Sequence, residues 1–227
     1  VNKLMAKAGL NAFSWNLRRA APTRLPGVLL FGAPSDGGAK VPAGKYLLRM
    51  TWRGAGEPVV RTQPFEVRQD PRLETIPAAV VAERDLIANV LSTRIAEIHD
   101  AVLRVRDLKT QVQGFVTRAK ETSAPDTIAK AGRALTGKLQ ALDPRMTTKA
   151  GNGQDIINYA NGINGQFGFL LGQVEGNSGV TQPVRDRLVE LEKLWNALKA
   201  EVEQVETRDV NAFNALLQAN KVPGVIT

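Results

Sequence analysis

The chain can bring only one imidazole to catalysis or to a metal, that of His99, and it has no cysteine. Zinc sites converge three or four nitrogen, thiolate or carboxylate ligands, and a lone histidine does not begin such a set. No metal or cofactor is expected. A serine triad would have to use the same His99, and no Gly-x-Ser-x-Gly elbow is present to hold the nucleophile. Lying between Ile98 and Asp100 in a helical pattern, His99 reads as a surface or boundary residue. The carboxylates offer little more. Glu190/Glu192 and Glu201/Glu203 stand two apart, so each pair points away from a common helix face. Asp107 sits among Arg104, Arg106 and Lys109, the pattern of a solvated face. Glycoside hydrolysis needs two carboxyls facing each other across about 5 to 10 Å, and no spacing here announces that. Gly162, Gly165, Gly168 and Gly172 follow no strand and carry no Gly-Lys-Ser/Thr, so close helix packing is expected of them rather than phosphate binding. Asn158, Tyr159, Asn161 and Asn164 are expected to bond neighbouring backbone across that crowded interface.

Charge is the more suggestive feature. The net +8 is concentrated in residues 1–76, with 12 Lys/Arg against 5 Asp/Glu, while the remainder is near neutral. Arg18, Arg19, Arg24, Arg49, Arg53, Arg61, Arg68 and Arg72 make a candidate binding surface for an acidic protein partner, a membrane protein complex or anionic lipid headgroups. Nucleic acid would want exposed aromatics beside them. Trp15 and Trp52 fall at inward strand positions and read as core, so no nucleic acid is expected.

These residues need elements to hold them. Residues 9–68 alternate apolar and polar in short runs: Phe13, Trp15 and Leu17; the Val28–Phe31 run; Tyr46, Leu48, Met50 and Trp52; then Val59 to Val67 with Pro64 at an edge or bulge. Arg53-Gly54-Ala55-Gly56-Glu57 makes a hairpin connection. Four or five such strands predict a small β-sandwich. From Ala78 to Ala119 the period changes. Leu91, Ile95, Ile98, Val102, Val105, Leu108, Val112 and Phe115 recur every three or four residues, the seam of a long helix. Val184, Leu188, Leu191, Trp195, Leu198, Val202 and Val205 repeat it near the end. Three helix starts share a hydroxyl residue before proline: Thr75-Ile76-Pro77, Ser123-Ala124-Pro125 and Thr181-Gln182-Pro183. Ser123 with Asp126 also fits a capping box. The second helix is expected to stop at Asp143-Pro144, and a third apolar segment covers 155–174. No window approaches 18 apolar residues, so no membrane span is expected. The chain opens at Val1 without an initiator methionine and reads as a processed or partial product.

Several of these stretches resemble a known family. Gly9-Leu10-Asn11-Ala12-Phe13-Ser14-Trp15-Asn16-Leu17-Arg18, Pro22-Thr23-Arg24, Pro26-Gly27 and Val41-Pro42-Ala43-Gly44-Lys45-Tyr46 are similar to the C-terminal region of large bacterial propeller proteins. These are of the sortilin-like, BNR-repeat glycosyl hydrolase-like and photosystem-stability-factor-like kinds. The similarity continues through Gln63-Pro64-Phe65-Glu66-Val67, Asp70-Pro71-Arg72, the Ala101–Leu108 stretch, Ile157-Asn158-Tyr159 and Asp209–Asn214 with Val222-Pro223. The Pro-x-Gly-x-Tyr element also occurs in the immunoglobulin-like domain of flagellar-hook-capping proteins. No Asp-box repeat is present, so no propeller residue carries over. The resemblance implies an exported bacterial protein, in the periplasm or at the cell surface.

Together these readings predict an α+β, multidomain chain. An immunoglobulin-like β-sandwich would occupy residues 1–72 and an antiparallel bundle of long helices residues 73–227. The bundle would have three helices with a broken middle helix, favoured because 126–175 matches the flanking helices in length, or four helices. The expected role is a non-catalytic interaction or assembly module, an accessory subunit docking through its basic sandwich on a larger, membrane-embedded complex such as a photosynthetic one. The alternative is the accessory tail of a propeller-type glycosidase or peptidase.

Overall fold

The structure is a computed structural model that describes residues 7–28, 37–54, 56–118, 125–148, 162–176 and 179–222. Its longest element is helix α1, Ala78–Arg118, 41 residues, or about 60 Å at 1.5 Å per residue. Every apolar residue of the seam read from Leu91 to Phe115 is buried. The helix starts on Pro77, whose carbonyl accepts from the Val80 and Val81 N–H groups. Helix α2 spans Pro125–Met146 and α3 spans Ile163–Gly176. Helix α4, Gln182–Gln204, passes through a π-helical turn, Val205–Asp209, into α5, Val210–Ala219.

Cross-links between the helices set their directions. Gly132 of α2 lies against Val116, near the end of α1, and Asp143 bonds Arg106 further back, so α2 runs antiparallel to α1. Helix α3 continues the same way, from Asn164 at His99 to Gly179, just past it, at Val80. The α4–α5 rod then runs alongside α1 in parallel, joined by Arg185–Glu83, Arg94–Glu192 and Arg104–Glu206. Lys138–Asp209 and Arg145–Glu201 tie it to α2. The result is three rods, the middle one made of α2, which ends at Met146, and α3, which starts at Ile163. Trp195, Phe167, Leu91, Ile95, Ile98 and Leu139 are among the largest side chains fully buried between them.

Two local readings change. Helix α2 does not stop at Asp143-Pro144 but includes Pro144 in its last turn, and Thr147 N–H closes that turn on Asp143 O. Thr181 occupies the N-cap of α4, yet its hydroxyl makes no capping bond. The expected Ser123–Asp126 capping box lies outside the described residues, as do Asn158, Tyr159 and Asn161 of the polar segment.

The β-sandwich is not there. The described sheet has two strands, β1 Gly44–Trp52 and β2 Val59–Val67, paired antiparallel from Gly44↔Val67 to Trp52↔Val59. A sandwich needs two sheets whose inner faces cover each other, and among the described residues no second sheet is found. Residues 13–17 form no strand, and Leu17 has a φ of 58°, outside the extended region. An isolated bridge, Arg18↔Lys40, pairs the segment with the chain ahead of β1. Beyond it the backbone lies along the helices. Leu25 and Ala39 join the same buried cluster as α1, α2, α3 and α4. The Val28–Phe31 run falls outside the described residues after Val28. Among the described residues no immunoglobulin-like sandwich is seen; they form a helical bundle bearing a two-stranded hairpin.

The first third is clamped where it crosses the bundle. Glu175 of α3 accepts from the Arg18 guanidinium and from the Lys40 N–H, both at 2.8 Å. Ala39 N–H donates to Ser92 Oγ. Gly38 is required there, since a Cβ would stand 2.6 Å from Ala20 O and 2.9 Å from Ser92 Oγ.

Candidate functional site

His99 is buried, 2% exposed, not at the surface as its pattern suggested. The reason is the N-terminal segment, which crosses α1 at this point and has no helical period to betray it. Nδ1 lies 2.7 Å from Thr23 O. A carbonyl only accepts, so Nδ1 carries the proton and Nε2 is left as an acceptor. Asn164 Nδ2 donates to it at 3.3 Å. The orientation of Asn164 is fixed in turn, because its Oδ1 accepts from Thr148 N–H and Gly165 N–H. Thr148 Oγ accepts from Gly162 N–H. Burial lowers the His99 pKa below the ordinary histidine value; the Thr23 bond and Asp100 oppose this, while Arg106 adds to it. Both nitrogens are thus occupied in a neutral ring that joins α1, the N-terminal segment and the break in the middle rod. This is an anchor, and among the described residues the ring bonds Thr23 O and Asn164.

Among the described residues, three or more His, Asp or Glu side chains nowhere gather to hold a cation. Glu190, Glu192 and Glu201 are each held by an arginine, Arg187, Arg94 and Arg145, and Asp107 accepts from Gln111. Each acts as a side chain on a helical face. Gly162 packs as expected, its missing Cβ leaving room for the Thr147 backbone. A shallow pocket of about 410 Å³ lies between the hairpin base and the start of α1, lined by Gln69, Glu74 and Asp85 among others. Asp85 is tied to Arg84 at 2.8 Å, and Gln69 Nε2 has no hydrogen-bond partner.

The eight arginines separate into distinct groups. Arg18 is consumed in the clamp with Glu175. Arg72 grips its own neighbour Asp70 through its Nε and an Nη, which raises its pKa. That pairing takes Asp70 down to about 2. Arg19 and Arg24 are exposed on the N-terminal segment. Arg49, Arg53, Arg61 and Arg68 belong to the hairpin and its ends, with Arg68 loosely paired to Glu66 at 3.7 Å. Arg49 stands opposite Thr62 and Arg61 opposite Met50, so the two cations emerge on opposite faces of the ribbon.

Between them runs the feature the alternation pattern misjudged. Trp15 and Trp52 are not core: they are 38% and 57% exposed. Trp15 closes one end of a small aromatic cluster, its ring 6.2 Å from Tyr46 and 6.0 Å from Phe65. Past that cluster the same face continues uncovered through Leu48, Met50, Trp52 and Val59, while Leu47 on the other face is 71% exposed. An exposed single apolar residue is ordinary, but a contiguous run on one element marks an interaction site. The arrangement brings together a bare apolar ribbon and a cationic fringe, and the chain entering it is tied to the bundle at Lys40.

No protein-family profile matches the chain, and neither do curated proteins or solved structures. Among the described residues no helix is long and apolar enough to cross a membrane.

Proposed function

We propose that the chain is a non-catalytic docking module, in which a rigid helical bundle presents a cationic, apolar β-hairpin to a protein partner. The observation that carries this reading is the uncovered hairpin, where Leu47, Leu48, Met50 and Trp52 face solvent between Arg49, Arg53 and Arg61. Apolar area removed from water contributes about 25 cal/mol per Å², and an arginine fringe selects an acidic partner and speeds encounter. The resemblance to the region that follows bacterial propellers supports reading such a module as an extracytoplasmic accessory or assembly subunit of a larger complex. It also supports a second reading, the accessory tail of a propeller-type glycosidase or peptidase.

Site-specific photocrosslinking tests the docking role. A benzophenone side chain at Leu47 is expected to give a stoichiometric adduct with one identified acidic protein. The same group at Val189, exposed on α4, should give none. Equal labelling from both positions, or none from either, removes the hairpin as the docking element.

A further inference from the structure

We infer that the outer edge of β1 accepts an acidic β-strand of the partner, extending the two-stranded ribbon to three. This deepens the docking reading and rests on it.

The first observation is the edge itself. Nine paired residues make a ribbon about 30 Å long, and two strands alone are marginally stable in water. Beyond its bonds to β2, no backbone hydrogen bond of β1 to another described residue is found. Proteins usually blunt such edges with charged side chains, proline, a bulge or a covering element; the charges on β1, Lys45 and Arg49, are both cationic and repel only a like-charged strand. Strand β2 has this protection in Pro64, which lacks an N–H. Strand β1 contains no proline, and its register runs without a bulge from Gly44 to Trp52.

The second observation is the set of side chains flanking that edge. An added strand would lay alternate residues beside Leu48, Met50 and Trp52 on one face and beside Leu47, Arg49 and Thr51 on the other. Both rows are exposed. A strand therefore meets an apolar row on one side and Leu47 and Thr51 flanking Arg49 on the other, which neither a flat partner nor a bilayer could reach at once.

Charge decides the occupant. From Lys40 to Arg68 the ribbon carries six cations, Lys40, Lys45, Arg49, Arg53, Arg61 and Arg68, against Glu57 and Glu66. A second copy pairing edge to edge would set this net +4 against itself, and like charges across a ladder are destabilising. Because Arg49 and Arg61 emerge on opposite faces, the cations do not form the single plane that a headgroup layer or a nucleic-acid backbone would engage. A strand bearing Asp or Glu between apolar residues satisfies the ladder, the apolar rows and both sets of cations.

The test uses the full chain and a fluorescein-labelled ten-residue peptide in which Glu alternates with Val and Tyr. A Lys-for-Glu counterpart, phosphatidylglycerol vesicles and oligo-dT are the comparison ligands. Fluorescence anisotropy is expected to show the Glu peptide binding at least tenfold tighter than the Lys peptide and weakening with salt. Leu48→Pro and Arg49→Pro then separate the mechanisms, since adjacent N–H groups in a strand point across the ribbon and away from it. The variant whose β2 amides stay protected from exchange has lost a donor only from the free edge, and it should bind at least tenfold more weakly. If that variant binds as the wild type does while Arg49→Glu with Arg61→Glu abolishes binding, strand addition is overturned and docking stands. If the peptide is ignored and hairpin variants change no interaction, the docking reading falls as well. Preferential binding to vesicles or oligo-dT, or dimerisation through the hairpin in sedimentation, also overturns the inference.

Discussion

Replacing Asn164 tests the anchor on which the position of the hairpin depends. Its side chain is fully buried and serves three groups: His99 Nε2, Thr148 N–H and Gly165 N–H. Asn164→Leu keeps the volume and removes all three bonds. Gly165 N–H retains a second acceptor in Gly162 O at 3.1 Å, so the main losses fall on Thr148 N–H and the imidazole. A buried group deprived of its partner costs about 1–3 kcal/mol, which places the variant about 2–4 kcal/mol below the wild type. For a chain of this size that corresponds to a fall of about 5–15 °C in melting temperature. Asn164→Asp adds a test of sign. In the wild type the folded His99 pKa lies below its unfolded value, so the unfolded state takes up the proton first. Stability should be constant above about pH 7 and fall as the pH drops below about 6.5, with a slope of up to about 1.4 kcal/mol per unit. A carboxylate opposite Nε2 favours the imidazolium and raises the folded pKa, so the slope reverses and stability is lost as pH rises. Urea melts from pH 5 to 8 read both effects, and exchange at the Arg19 and Val41 amides reports whether the N-terminal segment lets go. A leucine variant within about 0.5 kcal/mol of the wild type, or an aspartate variant with an unchanged slope, would refute the network as described.

Three further outcomes follow from the packing. Gly162→Ala places a Cβ 2.2 to 2.6 Å from Thr147 backbone atoms, which a flexible side chain cannot relieve; calorimetry should show a loss of about 1–3 kcal/mol. Glu175→Ala removes the acceptor of the Lys40 N–H and the carboxylate paired with Arg18, which keeps its bond to Gly38 O; with the pair's side chains only 14% and 9% exposed the cost should be about 3 kcal/mol, accompanied by faster exchange at Val41. Arg49→Glu with Arg61→Glu touches no ion pair among the described residues, so the melting temperature should move by no more than about 0.5 kcal/mol equivalent while partner binding is lost.

The helices were legible because a buried stripe every three or four residues has few other meanings. Leu91 to Phe115 in α1, and Leu191, Trp195, Leu198, Val202 and Val205 in the last rod, are all buried where the period put them. The hairpin was legible from alternation and its glycine-rich connection. What alternation cannot report is whether anything covers the apolar face. Trp52 alternates inward with Tyr46, Leu48 and Met50, but inward has meaning only if a second sheet exists. The same limit hid His99. It stands one position from Ile98, at the flank of the seam, and becomes buried because an aperiodic stretch, with Thr23 at its centre, lies across it. Asn164 was more readable: an asparagine among glycines at a crowded break was expected to bond backbone, and it does so at Thr148. Arg18 and Arg72 counted as surface charge in the sequence, yet their nearest carboxylates, one distant in the chain and one adjacent, already neutralise them.

The clamp at the root of the ribbon has a mechanical consequence. Glu175 holds both Arg18 and the Lys40 N–H, and Ser92 of α1 holds the Ala39 N–H, so the chain leading into the ribbon is fastened to α3 and α1. Tension that reaches Lys40 from the ribbon is passed to both helices. Seating a partner at the tip should therefore be felt as tension or relief along the split rod, far from the point of attachment.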